Sequence, residues 1–266
     1  MPSAAADVWA SGDAYEPYIG RWSRLVAREF LAWLGAPPGA RWLDVGCGTG
    51  ALTEAIMGAG SPARVQAVDP SLEYVRFARR RVRDGRAAFI VADAQALPQP
   101  PRSIDVAVSG LALNFVARPH LALAELARVA RPGGIVAAYV WDYAGRMELI
   151  RYFWDAAASL DPRAAELDEA PRFPICHPDA LAALFRDARL RDVETLPIDV
   201  PTRFRDFDDY WRPFLGGQGP APGYAVSLSD ECRTALRERI RAALPVAADG
   251  SIHLVARAWA VRGTPA

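Results

Sequence analysis

The chain contains no lysine. All 31 residues counted as Lys plus Arg are arginine, which removes Schiff-base lysine chemistry and the lysine of a Walker-type phosphate loop. Cysteine is scarce: Cys47, Cys176 and Cys232 are scattered and odd in number. With no C-x-x-C pair there is neither zinc-ribbon spacing nor a disulfide framework. Histidine occurs three times, and no His/Asp cluster stands at ligand spacing, so no metal is expected. An excess of one charge is also missing, because 31 acidic residues balance the 31 basic ones. No global field then gathers nucleic acid or an anionic membrane. The run Arg76, Arg79, Arg80, Arg81 and Arg83 lacks interleaved aromatics and reads as a solvated helix face. No apolar stretch approaches the roughly 18 residues of a membrane span, and residues 1 to 11 carry no signal pattern. The expectation is a cytoplasmic protein with a small-molecule partner, and with neither nucleic acid nor membrane.

What is present is a chain of 266 residues, 52% hydrophobic, enough for one large domain. A helical period over Ala14 to Leu34 is stopped by Gly35, Pro37, Pro38 and Gly39. Short apolar runs then alternate with helical ones. Strands are expected at Arg41 to Val45, Arg64 to Val68, Ala87 to Val91, Ile104 to Ser109 and Ile135 to Val140. Helices are expected at Ala51 to Gly58, Leu72 to Val82 and His120 to Ala130, with Arg131-Pro132-Gly133-Gly134 as a break. Such alternation implies a parallel sheet with right-handed crossovers. Ligands then bind at the carboxyl ends of the strands where the strand order reverses. The second half adds helices at Met147 to Leu160, Asp179 to Asp187, Phe204 to Leu215 and Asp230 to Leu244. It also adds strands at Val193 to Val200 and Ile252 to Val261, and a Gly/Pro-rich loop at Gly216 to Gly223.

The densest signal is Leu43 to Gly50, L-D-V-G-C-G-T-G. A strand runs into glycines at alternate positions, Gly46, Gly48 and Gly50, and a helix follows at once. Glycines let the backbone turn tightly and approach a ligand closely, and the helix N-terminus presents N–H donors. The G-x-G-x-x-A match at Gly46, Gly48 and Ala51, with Asp69 downstream, could mark a nicotinamide fold. Asp44 argues against that, since a pyrophosphate would sit beside a carboxylate. An ammonium-bearing ligand reverses the sign. S-adenosylmethionine (SAM) offers an amino-acid end, a ribose and an adenine, and no phosphate. Asp69, ending the second strand, suits ribose hydroxyls. Asp93, ending the third, suits the adenine amine, with the Ala94 N–H for a ring nitrogen.

The chain resembles the class I SAM-dependent methyltransferases, close to the ubiquinone-biosynthesis-like small-molecule group. The matching stretches are LDVGCGTG at 43–50, AVDPS at 67–71, VADAQALP at 91–98, IDVAVSGLALNFV at 104–116 and ELARVARPGG at 125–134. The resemblance covers residues 14 to 142 well. It implies an α/β fold: a Rossmann-like, doubly wound, seven-stranded, mostly parallel sheet with its last strand antiparallel. It also implies one domain over 1–266, with a cofactor-binding core at 14–142 and lid or substrate-binding segments at 143–190 and 202–245. By resemblance Asp44, Gly46, Gly48, Asp69, Asp93 and Ala94 contact SAM, with Cys47 and Pro70 in the same loops. Leu111 or Asn114 would lie beside the sulfonium. Arg21, among Tyr15, Tyr18 and Trp22, would pair with the cofactor's carboxylate or else be a surface arginine. Cys47 also reads as a packing residue.

Trp141, Asp142 and Tyr143 follow the fifth strand, on the ligand-bearing edge. Asp142 is a candidate base or substrate-orienting group, or else a cap of the next segment. His177, before Pro178-Asp179, is a second candidate base. Tyr152, Phe153, Trp154, Phe207, Tyr210, Trp211 and Phe214 suit a core, or a pocket for a flat apolar acceptor with Trp211 in contact. The expected reaction is methyl transfer to a small organic, apolar or aromatic acceptor by in-line attack on the sulfonium methyl. The rivals are an NAD(P)-dependent oxidoreductase, and a SAM-binding relative that cyclises its substrate or only binds a partner.

Overall fold

The computed structural model describes residues 16–217 and 219–266. Residues 1–13, Ala14 and Tyr15, for which a loose start and a helix with an aromatic neighbour were expected, lie outside the described residues. A π-helical turn, Glu16–Gly20, leads into helix α1, Arg21–Leu34. Then β1 (Arg41–Val45), α2 (Ala51–Ala59), β2 (Arg64–Asp69), α3 (Leu72–Arg81) and β3 (Ala87–Val91) alternate, followed by β4 (Ile104–Gly110), α4 (Pro119–Val129) and β5 (Ala130–Trp141). The Ser71 hydroxyl accepts from the Tyr74 N–H at 3.4 Å and starts α3. Pro119 opens α4 where no backbone donor is required.

The second half contributes α5 (Glu148–Leu160), α6 (Glu169–Arg172), α7 (Pro178–Asp187), β6 (Arg191–Phe204), α8 (Phe207–Trp211), α9 (Pro220–Ser227), α10 (Asp230–Ala243) and β7 (Ile252–Thr264). The sheet has seven strands in the order β3-β2-β1-β4-β5-β7-β6. Strands β1 to β5 pair in parallel. Strand β7 runs antiparallel to β5, with Tyr139 opposite Ala260. The doubly wound α/β expectation and its antiparallel last strand are met.

Three expectations on the elements are corrected. The helix does end before Arg131, but β5 starts at Ala130 and not at Ile135. Ala130 already pairs with Ile104, and a register shift between Ile104 and Val106 absorbs the extra residues, with Gly133 at φ 68°; a bulge keeps the segment in the sheet. The loop expected at 216–223 is half helix, because Pro220 and Pro222 both fall in the first turn of α9, where their missing N–H groups cost nothing. The helix expected from Phe204 to Leu215 is shorter: β6 runs on to Phe204, α8 starts at Phe207, and a 3-10 turn, Arg212–Gly216, follows.

The described chain divides into two compact units. The first takes the described residues up to Trp22 together with Asp142–Pro174 and Asp199–Arg257; the second takes Ser23–Trp141, Ile175–Ile198 and Ala258–Ala266. Val65, Val106, Val108, Val136 and Ala137 are fully or almost fully buried at the heart of the second. In the first, Phe153 stacks on Phe214 at 4.7 Å between ring centroids. Tyr210, also in the first unit, donates its hydroxyl to the Leu149 carbonyl at 2.8 Å.

Candidate functional site

The strand order reverses between β1 and β4, so their carboxyl ends form the switch point of the sheet. Asp44 is opposite Val108 across that pair. The loop leaving β1 turns through Gly46, Gly48 and Gly50 at φ 76°, 50° and 83°, a backbone that side chains resist. The amides of Gly46 and Cys47 both donate to the Val68 carbonyl, at 2.8 and 3.0 Å, which fastens the loop to the end of β2. A Cβ on Gly46 would collide with that of Ala112, whereas one on Gly48 would meet open space. The loop after β1 thus lies against the loop after β4 and leaves a glycine facing outward.

Four carboxylates or amides give the cradle its polarity. Asp44 is buried; its Oδ2 accepts from the Thr53 hydroxyl at 2.6 Å. Its Oδ1 is buried with no hydrogen-bond partner among the described residues. Burial pushes this carboxyl up to about 7; Thr53 pulls it down, and Asp69 adds like-charge repulsion. Asp69 accepts from the Gly48 N–H on Oδ2 and the Ser71 N–H on Oδ1, each at 2.9 Å. Burial raises its carboxyl too, against those two hydrogen bonds. Asp93 is exposed, and its Oδ1 accepts the Gln95 N–H at 2.8 Å. That bond and the Gln95 side chain hold its carboxyl low. Asn114 is buried in a short 3-10 turn after β4, its Nδ2 without a partner among the described residues.

The remaining expected contacts fall as follows. Ala94 is buried after β3, and Pro70 is exposed after Asp69. Leu111 holds φ 58°, a strained value for a leucine, with its N–H on the Tyr139 carbonyl at 2.8 Å. The side chain of Cys47 packs with Ala67, Val75, Ala78 and Phe89, so its thiol is part of the core. His177 is exposed and serves α7 as a cap, Nδ1 accepting from the Asp179 N–H at 3.4 Å. Trp141, at the end of β5, is buried.

Within the first unit, Arg21 is committed: Nη1 meets Asp209 Oδ1 at 3.1 Å, and the guanidinium lies over the rings of Trp22 and Phe204 at 4.4 and 4.8 Å. Asp142 accepts from the N–H groups of Gly145 and Arg146, both at 3.0 Å, and so starts the turn before α5. Tyr143 and Trp211 are buried, the latter stacked on Phe207 at 6.5 Å. The sequence reading missed Thr53 and Ala112. Neither carries a signal of its own, because each matters through a neighbour that only the fold supplies. Among the described residues no group of His, Cys, Asp and Glu is arranged to hold a metal, and no helix is long and apolar enough to cross a membrane.

A buried acceptor lacking a partner and a loop that a Cβ would fill are what the amino-acid end of SAM requires, and the residues fit that cofactor. Residues 43–138 match the model of a methyltransferase domain. That stretch carries the methyltransferase domain. The chain is 42% identical over 114 residues to the demethylmenaquinone methyltransferase of Renibacterium salmoninarum, covering 43% of this chain and 45% of that protein. It is 38% identical over 125 residues to the malonyl-[acyl-carrier protein] O-methyltransferase of Methylococcus capsulatus, covering 46% and 44%. The chain thus spans about half the length of the curated relatives it matches. In fold it is similar to a putative methyltransferase from an antibiotic biosynthesis pathway of Anabaena variabilis, with TM-score 0.62, 20% identity and coverage of 89% of this chain and 96% of that one. The [4+2]-cyclase SpnF shares the fold as well, with TM-score 0.55, 19% identity and coverage of 99% and 89%.

Proposed function

We propose that this protein transfers the methyl group of SAM to a small organic acceptor with an apolar or aromatic body, by in-line attack on the sulfonium methyl. The observation that carries the reading is the Asp44 carboxylate, half satisfied and buried under a glycine loop at the switch point of the sheet. SAM, when bound, supplies an electrophile that is already activated. The chain's own work is then to bind, align and exclude water.

In this reading Thr53 holds one oxygen of Asp44 so that the other receives the cofactor's ammonium. Gly46 and Gly48 let the backbone approach. Asp69 keeps lone pairs beyond its two backbone N–H bonds for ribose hydroxyls. Asp93 and the Ala94 N–H serve the adenine, and Leu111 and Asn114 line the methyl-bearing end. Segments 143–190 and 202–245 take the acceptor, through side chains such as Trp141, Tyr143 and Trp211 at or near them. Both candidate bases, Asp142 and His177, already hold backbone N–H groups. That favours an acceptor that brings its own nucleophile, either an ionised oxygen or an acidic carbon. A carboxylate acceptor has that character, as the names of the malonyl-[acyl-carrier protein] and fatty-acid O-methyltransferase relatives indicate for those proteins.

The test is thermal stabilisation by SAM, S-adenosylhomocysteine, NAD and NADP, followed by S-adenosylhomocysteine release with a panel of quinols, phenols and carboxylic acids. Stabilisation by the two adenosyl ligands and turnover with one acceptor class are expected. A response to a nicotinamide cofactor alone would overturn the reading. Tight SAM binding with no release across the panel would turn it into a non-methylating relative.

A further inference from the structure

The first unit contains a cavity of about 370 Å3 lined by Arg21, Arg205, Asp206, Asp208, Asp209 and Arg212, with proline and glycine completing its wall. By count its charges cancel, three guanidiniums against three carboxylates, but their commitments do not. Each carboxylate is engaged. Asp209 takes Arg21 Nη1 on Oδ1 at 3.1 Å and the Arg205 N–H on Oδ2 at 3.0 Å. Asp206 accepts the Asp209 N–H at 2.8 Å. Asp208 pairs with Arg237 at 3.2 Å, a cation outside the lining.

The guanidiniums are left over. The Arg212 side chain has no hydrogen bond or ion pair among the described residues, only its backbone N–H being held, by the Asp208 carbonyl. Arg205 comes no nearer to a carboxylate than 3.9 Å, and its side chain is 84% exposed. Arg21 Nε is buried with no acceptor among the described residues, although its guanidinium is fixed between two aromatic rings. Arg237 meets Asp208 from outside while also holding Glu238 at 2.7 Å, so what distinguishes the wall is its unfilled guanidinium N–H donors. Planar guanidiniums with spare donors match the paired oxygens of a carboxylate or phosphate. A lone anion would fill little of 370 Å3, so the anionic group would be attached to an organic body.

We propose that this cavity binds a carboxylate- or phosphate-bearing organic anion, held by Arg205 and Arg212 beside the ring-clamped guanidinium of Arg21. The inference does not depend on the methyl-transfer reading, because none of these residues belongs to the glycine loop or to the loops after β2, β3 and β4.

The test is titration calorimetry of the full chain at fixed ionic strength with malonate, octanoate, inorganic phosphate and glycerol 3-phosphate. Saturable one-to-one binding of at least one of them is expected, and the carboxylate and phosphate arms identify the head group. The exposed-residue variant Arg205→Gln/Arg212→Gln should weaken it about tenfold or more, while S-adenosylhomocysteine binding stays unchanged as a control on folding. No saturable binding by any of the four, or equal affinity in the double variant, would overturn the proposal. Loss of anion binding together with retained S-adenosylhomocysteine binding supports it even where no methyl acceptor is found.

Discussion

Thr53 donates its hydroxyl to Oδ2 of Asp44 at 2.6 Å, while Oδ1 of the same carboxylate stays buried without a partner among the described residues. A buried acceptor in that state costs free energy until something donates to it. The cofactor's ammonium is the group we assign to it. Asp44→Ala should lower S-adenosylhomocysteine affinity roughly a hundredfold, the scale of one charge-assisted hydrogen bond of ~3 kcal/mol. Circular dichroism should show a folded protein. Unchanged affinity in a folded variant would refute the assignment.

The same carboxyl makes binding depend on pH. Burial lifts it from an ordinary 3.8 to about 7 in the folded protein. Below that value it carries a proton that the ammonium must displace. Cofactor affinity should therefore rise as pH goes from 6 to 8, with proton release detectable by calorimetry in buffers of different ionisation enthalpy. Stability without ligand should move the other way. Between 3.8 and about 7 the folded state holds more protons than the unfolded one. Stability then falls with rising pH by at most about 1.4 kcal/mol per unit from this group, and levels off above that window. Glu169, buried against the Trp154 indole and also raised to about 7, has the same sign. The difference between wild type and Asp44→Asn isolates Asp44. Identical slopes would show that burial at Asp44 carries no such penalty.

Gly46→Ala should be far worse than Gly48→Ala for folding. Both sit at positive φ, but only the first puts a new methyl into Ala112. The strain common to both is ~1–2 kcal/mol. The collision adds to Gly46→Ala alone, so its melting temperature should drop further. Gly46→Ala combined with Ala112→Gly should recover part of the loss. An additive double variant would mean that the two loops do not touch as described.

Trp211→Ala is expected to destabilise by about 3–5 kcal/mol, the range for emptying a large buried aromatic site. Trp211 is buried between Phe207 and Phe214. Denaturant midpoints measure the loss. In the fraction that remains folded, a raised KM for the acceptor is also expected from its proposed place at the acceptor, and an unchanged KM would leave the indole a packing role alone.

Legibility in the sequence followed the locality of the forces. Strands β1 and β3 fall where alternating apolar runs and flanking turn residues place them, because both signals lie within a few residues of the element. The bulge at Gly133 and the helix at Pro220 were hidden because the deciding interactions are a strand partner thirty residues away and the position of prolines within a first turn. At the site, glycines and acidic strand ends announced themselves. The pairing of Arg21 with Asp209, 188 residues apart, could not. Composition marks a guanidinium, and only the fold says which carboxylate claims it. Asn114, the single asparagine of the chain, was visible as a residue type but not as an unfilled donor.

The place of β7 between β5 and β6 has a consequence for how the molecule is made. Strand β6 has no neighbour in the sheet until β7, some fifty residues further along, has emerged from the ribosome and slotted in beside β5. Until then β6 waits as an unpaired edge, the kind of surface on which nascent chains aggregate or recruit chaperones. Such non-local pairing is slow to form. Completing this sheet thus takes a strand insertion, and shielding β6 during synthesis should raise the yield of folded protein.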